Sequence, residues 1–352
     1  MTLKELGWRP MLQQQLSLEE LECGYAARVS AVFRDRIELK TLDNELSLPI
    51  TGILASADPI ERPTTGDWLW LENHSNKALK LFERLNVLQR TAAGSEAKSQ
   101  LIAVNIDTLF IVSSCNQDFN VSRIERYLTL VLAAHIPAVI VLTKTDLCAD
   151  ADSYAEQAQA IHHDVPVIKV NALTDDIGQA FSYWTGVGQT IAFLGSSGVG
   201  KSTLTNALLG QQIQDTAGIR EDDAKGRHTT TGRSLFAMPN GGWVLDTPGM
   251  RELRLNDDLS GVAEVFDDIE ALQKQCKFNN CRHEDDQGCA IQAALEAGTL
   301  ELRRWQNYQK LHREALRARQ TKHEQHEHGR KFGKEIRQAL KGKKAKRNWA
   351  DQ

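Results

Sequence analysis

The sequence predicts a multi-domain α/β fold, with an N-terminal OB-like β-barrel, a central mostly parallel sheet and a C-terminal helical zinc-binding segment. Short segments of alternating apolar and polar residues fill the chain over residues 25–88. From Asp107 onward, continuous apolar runs alternate with helix-spaced residues, as strands covered on both faces require. Three cysteines and one histidine lie close together after residue 275. With 352 residues, the chain is long enough for two or three domains.

The composition is that of a soluble globular protein, with 41% hydrophobic and 25% charged residues. The first residues, Met1 to Trp8, lack the apolar segment of a signal peptide. No run in the chain approaches the roughly 18 apolar residues of a membrane span. We therefore expect a cytoplasmic protein with no membrane partner, whose six cysteines form no disulfides.

The net charge of −4 conceals a basic C-terminal region. Residues 303–348 carry 16 Lys+Arg against 4 Asp+Glu, which leaves 26 against 42 in the rest of the chain. An acidic body with a basic tail is typical of proteins that face nucleic acid. Such runs are otherwise solvated or disordered, and a functional one contacts phosphate rather than base sequence.

The N-terminal part is predicted to hold an arm followed by a barrel. Residues 1–20 are polar and indicate a loose or helical arm. Several short strands separated by turns follow, among them 46–50 and 68–71, and this pattern favours a small OB-like barrel. Such a barrel either binds RNA or serves only for packing. Trp68 and Trp70 share one strand face, which favours a buried pair over a base-stacking platform.

The central part is predicted to alternate strands and helices after a small, polar linker at residues 91–100. The expected elements are strands at 107–112, 137–142, 165–170 and 191–194, with a helix at 124–134. Two further strands flank Asn240-Gly241, a strong hairpin signal. The sheet should therefore be mostly parallel, with one antiparallel strand.

A glycine-rich segment between a strand and a helix has the pattern of a phosphate loop, G-x-x-x-x-G-K-S. Its residues are Gly195, Ser196, Ser197, Gly198, Val199, Gly200, Lys201, Ser202 and Thr203. The glycines let backbone N–H groups converge on phosphate oxygens at a helix N-terminus. We expect Lys201 to reach the β- and γ-phosphates and Ser202 to bind Mg²⁺. The alternative is an accidental match in a Gly/Ser turn.

A second motif, D-x-x-G, runs from Asp246 to Gly249 at the end of a later strand. Its aspartate would hold Mg²⁺ through water, and the Gly249 amide would sense the γ-phosphate. Together with the phosphate loop, it predicts a nucleoside triphosphate site at the carboxyl ends of parallel strands.

Two further segments narrow the nucleotide to GTP. The first resembles the guanine-reading pattern N/T-K-x-D and consists of Thr143, Lys144, Thr145 and Asp146. Its carboxylate would accept two hydrogen bonds from guanine that adenine cannot donate, while the Lys144 stem covers the base. Asn171 and Ala172 resemble the loop that backs guanine through backbone N–H groups. Alone, the first pattern could be any helix-capping turn.

The order of these motifs is unusual because the guanine-reading segments precede the phosphate loop. A circular permutation retains the sheet and the site but moves the chain ends to just after Gly249. With residues 226–231 as switch I, this order closely resembles the RsgA-type family of circularly permuted small-ribosomal-subunit biogenesis GTPases. The resemblance extends from about residue 25 to the end of the zinc segment. One departure is Thr143, where many GTPases have Asn, and we expect it to weaken a loop-bracing hydrogen bond.

The cysteine-rich segment has the pattern C-x4-C-x-H-x5-C, formed by Cys276, Cys281, His283 and Cys289. Three thiolates and one imidazole suit one closed tetrahedral Zn²⁺, which leaves no open position and is therefore structural. The alternative is three free thiols near a surface histidine. The family carries the same spacing, which favours zinc.

The surroundings of this segment are predicted to be helical. We expect an amphipathic helix over 260–275 with Ser260 as its N-cap, and a long helix over 290–319. Cys115, at the end of a strand, is expected in the core. The histidines at 323, 326 and 328 are expected on a solvated helix rather than on a metal.

The resemblance implies a domain organisation. We divide the chain into an N-terminal arm (1–20), an OB-like barrel (21–90), a circularly permuted GTPase domain (100–255), a zinc-binding helical domain (256–320) and a basic tail (321–352).

The resemblance also implies a function. Members of the family bind the small ribosomal subunit late in its assembly and hydrolyse GTP there. The implied partners are that subunit with its rRNA and GTP or GDP, and we expect a monomer. Two alternatives stay open: a non-catalytic GTP-dependent assembly scaffold, and a permuted GTPase acting on the large subunit.

The catalytic residues that we predict are Lys201, Gly249 and His228. Many GTPases have a glutamine directly after D-x-x-G that orients the attacking water, but this chain has Met250. Hydrolysis by the protein alone should therefore be slow. His228 in switch I is the candidate for orienting water once the ribosome orders that loop, and the alternative is a plain loop histidine.

Overall fold

The computed structural model describes residues 1–56, 58–91, 99–212, 234–246, 259–284 and 286–319. The strands are β1 Gly24–Val32, β2 Arg36–Lys40, β3 Glu45–Pro49, β4 Trp68–Glu72, β5 Ala78–Leu81, β6 Val87–Thr91, β7 Ser99–Val104, β8 Thr108–Ser114, β9 Ala138–Thr143, β10 Val167–Lys169, β11 Thr190–Leu194, β12 Ser234–Ala237 and β13 Trp243–Asp246. The helices are α1 Leu3–Leu6, α2 Pro10–Gln13, α3 Leu18–Cys23, α4 Val121–Ala133, α5 Ala151–Gln159, α6 Ile177–Ala180, α7 Lys201–Leu209, α8 Ser260–Val265, α9 Asp267–Gln273, α10 Ala290–Glu296 and α11 302–319.

Most of these strands form one sheet in the order β10-β9-β8-β11-β13-β12-β1-β2-β3, with β4 on β1 and β5 on β4. The part from β10 to β13 is parallel, and β12 is antiparallel to β13. This confirms the predicted mostly parallel sheet and the hairpin around Asn240-Gly241. All seven residues of β8 are buried, because helices cover both faces of the parallel part.

The N-terminal strands form an antiparallel group in the order β3-β2-β1-β4-β5. Among the described residues, the group joins the parallel part through one pairing, Ala31 with Ser234, so that one sheet runs through both regions. Trp68 and Trp70 are buried and pack with Trp8 and Phe82, which confirms the predicted buried pair. The OB-like assignment of this group stays a prediction.

The first twenty residues are helical rather than loose, and they are docked on the molecule. Leu6 and Leu12 from this segment belong to the main apolar core. The indole nitrogen of Trp243 donates a hydrogen bond to the Glu5 carbonyl at 2.7 Å. The buried Arg28 guanidinium donates to the Leu6 carbonyl at 2.9 Å and to the Thr190 hydroxyl at 2.6 Å. The arm thus joins the two parts of the sheet.

The predicted linker at residues 91–100 needs correction at its ends. Thr91 closes β6 and Ser99 opens β7, and these two strands pair with each other in antiparallel register. Residues 92–98 lie outside the described part. We predicted a linker from the small, polar composition of this stretch alone. The residues on either side of it, 87–90 and 101–104, pair with each other as β-strands, so the two ends of the stretch belong to strands.

Two helix predictions in the C-terminal part were wrong in their extent. The helix over 260–275 is interrupted at Phe266, whose φ of −115° and ψ of 39° let its ring enter the core. Ser260 is not its N-cap, since Leu259 holds that position. The long helix over 290–319 is interrupted after α10, where Gly298 adopts a φ of +70° and the following Leu300 is buried.

Within the described part of the chain, no helix is both long and apolar enough to cross a membrane.

Candidate functional site

The phosphate loop connects β11 to α7, as the sequence predicts. The strand is buried along its whole length, and α7 begins at Lys201. Gly195 lies so close to the neighbouring strand that a Cβ there would meet the Val112 carbonyl oxygen at 2.3 Å. Gly198 and Gly200 adopt φ values of +78° and +97°, which other residues rarely adopt. The buried core and the conformations of these glycines therefore set the position of the loop backbone.

Two cations converge on one residue of this loop. The Lys201 ammonium donates to the carbonyl oxygens of Gly195 at 2.8 Å and Ser196 at 2.5 Å. The Arg123 guanidinium, from the first turn of α4, donates to the Ser196 hydroxyl at 2.6 Å. Sequence reasoning missed Arg123, because no local pattern indicates that α4 begins beside the loop.

The Thr143–Asp146 segment lies at the end of β9, next to the phosphate loop. Thr143 is buried, and its hydroxyl donates to the Val199 carbonyl at 2.6 Å, with the Ser113 carbonyl at 3.2 Å. Lys144 adopts a left-handed φ of +57°, which is uncommon outside glycine and recurs at functional loops. The threonine therefore braces the two loops directly, and the weakening expected relative to asparagine stays a prediction.

The loop that carries Asn171 and Ala172 follows β10, the neighbour of β9 in the sheet. The Asn171 side chain accepts a hydrogen bond from Leu173 N at 3.0 Å, and its backbone N–H donates to Asp175 at 2.7 Å. These contacts fix the loop at the same edge of the sheet as Thr143. The leucines that follow the two segments, Leu147 and Leu173, are exposed.

The remaining predicted nucleotide residues are described in part. Ser202 and Thr203 lie half-buried in the first turn of α7. Asp246 ends β13, and that strand runs parallel to β11, so its carboxyl end lies at the same edge as the phosphate loop. His228 with the rest of 226–231, Gly249 and Met250 lie outside the described residues, as does the tail at 321–352 with its histidines.

The four predicted zinc ligands come together between α9 and α10. Their ligand atoms all lie within 4.8 Å of one another, and the Sγ atoms of Cys276 and Cys289 lie 3.6 and 3.5 Å from Nδ1 of His283. Burial lowers the pKa of His283, which favours the neutral imidazole that binds metals. Three sulfurs and one nitrogen at this separation fit a tetrahedral zinc ion. In contrast, Cys115 is buried in the core, and burial raises its pKa to about 11.

A buried ion cluster attaches the C-terminal helices to α4. Glu125 is 0% exposed, and its carboxylate accepts hydrogen bonds from Arg303, Arg304 and Asn307 of α11 at 2.5–3.2 Å. The next residue of α4, Arg126, makes a bidentate pair with Glu314. The helix that touches the phosphate loop through Arg123 therefore also holds α11, and the sequence did not indicate this.

Comparison with known proteins gives a consistent result. A family model described as RsgA GTPase matches residues 81–256. The small ribosomal subunit biogenesis GTPase RsgA 2 of Vibrio parahaemolyticus is 48% identical over 342 residues, covering 97% of this chain and 94% of that protein. The small ribosomal subunit biogenesis GTPase RsgA of Mesorhizobium japonicum is 43% identical over 313 residues, covering 88% and 89%.

Two solved structures share the fold. YjeQ from Thermotoga maritima superposes with a TM-score of 0.61 at 22% identity, covering 83% of this chain and 99% of that one. YloQ, described as a circularly permuted GTPase, superposes with a TM-score of 0.56 at 20% identity, covering 84% and 96%. The likeness agrees with the observed sheet, in which β9 and β10, the strands before the two predicted guanine-reading segments, precede β11 in the chain and lie in the same parallel sheet, separated from β11 by β8.

Proposed function

Because this chain belongs to the RsgA GTPase family, we propose that it hydrolyses GTP on the small ribosomal subunit during the late assembly of that subunit. The observation that carries the proposal is the hydrogen bond from Thr143 to Val199, which joins the guanine-reading segment to the phosphate loop. A phosphate loop alone serves many nucleotides, but a guanine-reading carboxylate beside it selects GTP.

In this proposal the backbone N–H groups of residues 195–200 and the Lys201 ammonium bind the phosphates. Lys201 is held on two loop carbonyls, so it exchanges these neutral acceptors for charged phosphate oxygens when GTP enters. Asp146 is exposed at the loop, where its carboxylate is free to meet the guanine edge. Asn171 and Ala172 back the base from the neighbouring strand.

Magnesium would be held by Ser202 directly and by Asp246 through water, and it would neutralise charge on the β- and γ-phosphates. We propose that Gly249 senses the γ-phosphate and that His228 orients the attacking water. Since Met250 offers no useful donor for that water, we expect slow hydrolysis by the protein alone.

One zinc ion would be held by Cys276, Cys281, His283 and Cys289, with all four positions taken by protein. Its role is then structural: it folds a segment that has no sheet of its own. We propose that the N-terminal strands form an OB-like barrel and that the basic C-terminal region contacts rRNA phosphates.

The test is multiple-turnover GTP hydrolysis by the full chain alone, with isolated small subunits and with isolated large subunits. We expect slow turnover alone, strong stimulation by small subunits and none by large subunits. Stimulation by large subunits, or no stimulation by either, would overturn the proposal. His228→Ala should lose the stimulation and retain GTP affinity, and Lys201→Ala should lose GTP binding itself.

A further inference from the structure

Arg123 is held in a defined place at the edge of the phosphate loop. It lies in the first turn of α4, where its backbone N–H is capped by the Asn120 side chain at 2.9 Å. Its guanidinium is half-buried and donates to the Ser196 hydroxyl at 2.6 Å, across 73 residues of sequence. The cap fixes the start of the helix, and therefore the side chain approaches the loop from a rigid element.

Arg123 differs from the other arginines around it in the group that its side chain contacts. Arg126, Arg303 and Arg304 each pair with a carboxylate. Among the residues that the structure describes, no carboxylate lies within ion-pair distance of Arg123. A guanidinium has five N–H donors, and the Ser196 hydroxyl is a neutral acceptor that uses one of them. Such a group complements an anion far better than it complements a hydroxyl.

Lys201 and Arg123 contact different atoms of Ser196. The lysine binds its carbonyl oxygen and the arginine binds its hydroxyl. Lys201 belongs to α7, so its proposed move to phosphate oxygens leaves the arginine contact between Ser196 and α4 in place. The loop then keeps its shape and retains a second positive charge at its edge.

We propose that Arg123 is a positioning residue of the nucleotide site, which holds the phosphate loop through Ser196 and adds positive charge that favours the triphosphate over the diphosphate. The inference rests on the proposed GTPase function, and it adds a residue to the site that none of the motifs contains. The γ-phosphate brings additional negative charge, so a nearby cation stabilises GTP more than GDP.

The test is a titration of the full chain with a non-hydrolysable GTP analogue and with GDP, in wild type, in four single variants, one of them a control, and in one double variant. We expect Arg123→Ala to weaken binding of the analogue about tenfold and of GDP about threefold. Arg123→Lys should retain most of the wild-type preference for the analogue over GDP, because it keeps the positive charge. Ser196→Ala should weaken both nucleotides about equally, and adding it to Arg123→Ala should cause little further loss, since both remove the same contact.

Arg126→Ala is the matched control. It removes the same charge from the same helix one turn away, where the side chain pairs with Glu314, and it should leave the ratio of the two affinities unchanged. An unchanged ratio in Arg123→Ala, or additive losses in the double variant, would overturn the inference. If circular dichroism showed that Arg123→Ala had lost helical structure, the ratio of the affinities for the analogue and for GDP would be measured in Arg123→Lys and in Ser196→Ala. That ratio would then test the inference. A wild type that bound neither nucleotide would instead refute the proposed GTPase function.

Discussion

The nucleotide loops and the cysteine cluster reach their geometry by different means. The phosphate loop follows a fully buried strand, presses against Val112 and is braced by the buried Thr143. In the cysteine cluster, three of the four ligands lie in turns between α9 and α10, and His283 adopts a left-handed φ of +61°. The hydrophobic core preorganises the first site, whereas we propose that bonds to a zinc ion stabilise the second. Single substitutions in the two regions should therefore have different effects on folding and on ligand binding.

The largest effect is expected from removing one metal ligand. Cys281→Ala should release zinc and unfold the segment between α9 and α10, because structural zinc contributes about 10–16 kcal/mol in small zinc domains. Nucleotide affinity should remain close to that of wild type, since the loops rest on the sheet. Elemental analysis, circular dichroism and nucleotide titration measure the three quantities. Cys23→Ala, at an exposed cysteine outside the cluster, is the control. A metal-free but fully folded Cys281→Ala would remove the contrast between the two regions.

The next largest effect is expected at Glu125, where α4 is attached to α11. Glu125→Gln should lower the free energy of unfolding by about 3 kcal/mol, because it removes a fully buried carboxylate charge that accepts hydrogen bonds from two arginines of α11. The cost should lie at the lower end of the usual range, as Arg304 keeps its pair with Asp268. Urea unfolding provides the measurement.

The control for Glu125→Gln is Glu301→Gln, which removes an exposed partner of Arg303. It should change the free energy of unfolding by less than about 0.5 kcal/mol. Equal effects of the two substitutions would mean that the buried cluster does not attach the C-terminal helices to α4.

A smaller effect, on recognition alone, is expected at the guanine-reading carboxylate. Asp146→Asn should weaken GTP binding about 100-fold and improve xanthosine triphosphate binding, because the amide complements that base. Stability should not change, since the side chain is exposed. Asp150→Asn serves as control, as Asp150 only caps α5. If GTP affinity survived in Asp146→Asn, residues 143–146 would be no more than a turn.

The smallest effect is expected from removing the hydrogen bond between Thr143 and Val199, which braces the two loops. Thr143→Val removes one hydroxyl and leaves the Val199 carbonyl unpaired, which should cost about 1 kcal/mol of stability and a few-fold in nucleotide affinity. Thr129→Val is matched to it, because Thr129 is equally buried and donates only within α4, to the Glu125 carbonyl. It should affect stability alone. A loss of nucleotide affinity in both variants would show that the brace has no specific role.

The features that the sequence predicted well depend on short segments. The phosphate loop, the Asn240-Gly241 hairpin and the buried tryptophan pair each follow from a few consecutive residues whose backbone or face requirements are local. The zinc ligands also share one short segment, so that their spacing alone brought them together.

The features that sequence reasoning missed depend on contacts between distant segments. Arg123 and Glu125 are separated from their partners by 73 residues and by about 180 residues, and no pattern near either residue indicates those partners. The interruption at Phe266 is another case, because burial of its ring in the core overrides a continuous helical pattern. Such tertiary effects emerge only when the whole fold is assembled.

The docking of the N-terminal arm has a consequence for the order in which the newly made chain folds. Glu5 accepts its hydrogen bond from Trp243, 238 residues later, and Arg28 reaches Thr190 across 162 residues. At roughly 5–20 residues per second, the first helix waits on the order of tens of seconds for its partner to be synthesised. During that interval the arm lacks its hydrogen bonds to the parallel part of the sheet, although Trp8 can already pack on Trp68, Trp70 and Phe82. The bonds that tie the earliest part of the chain to the parallel part of the sheet are thus among the last to form, and any pause in translation before Trp243 delays them.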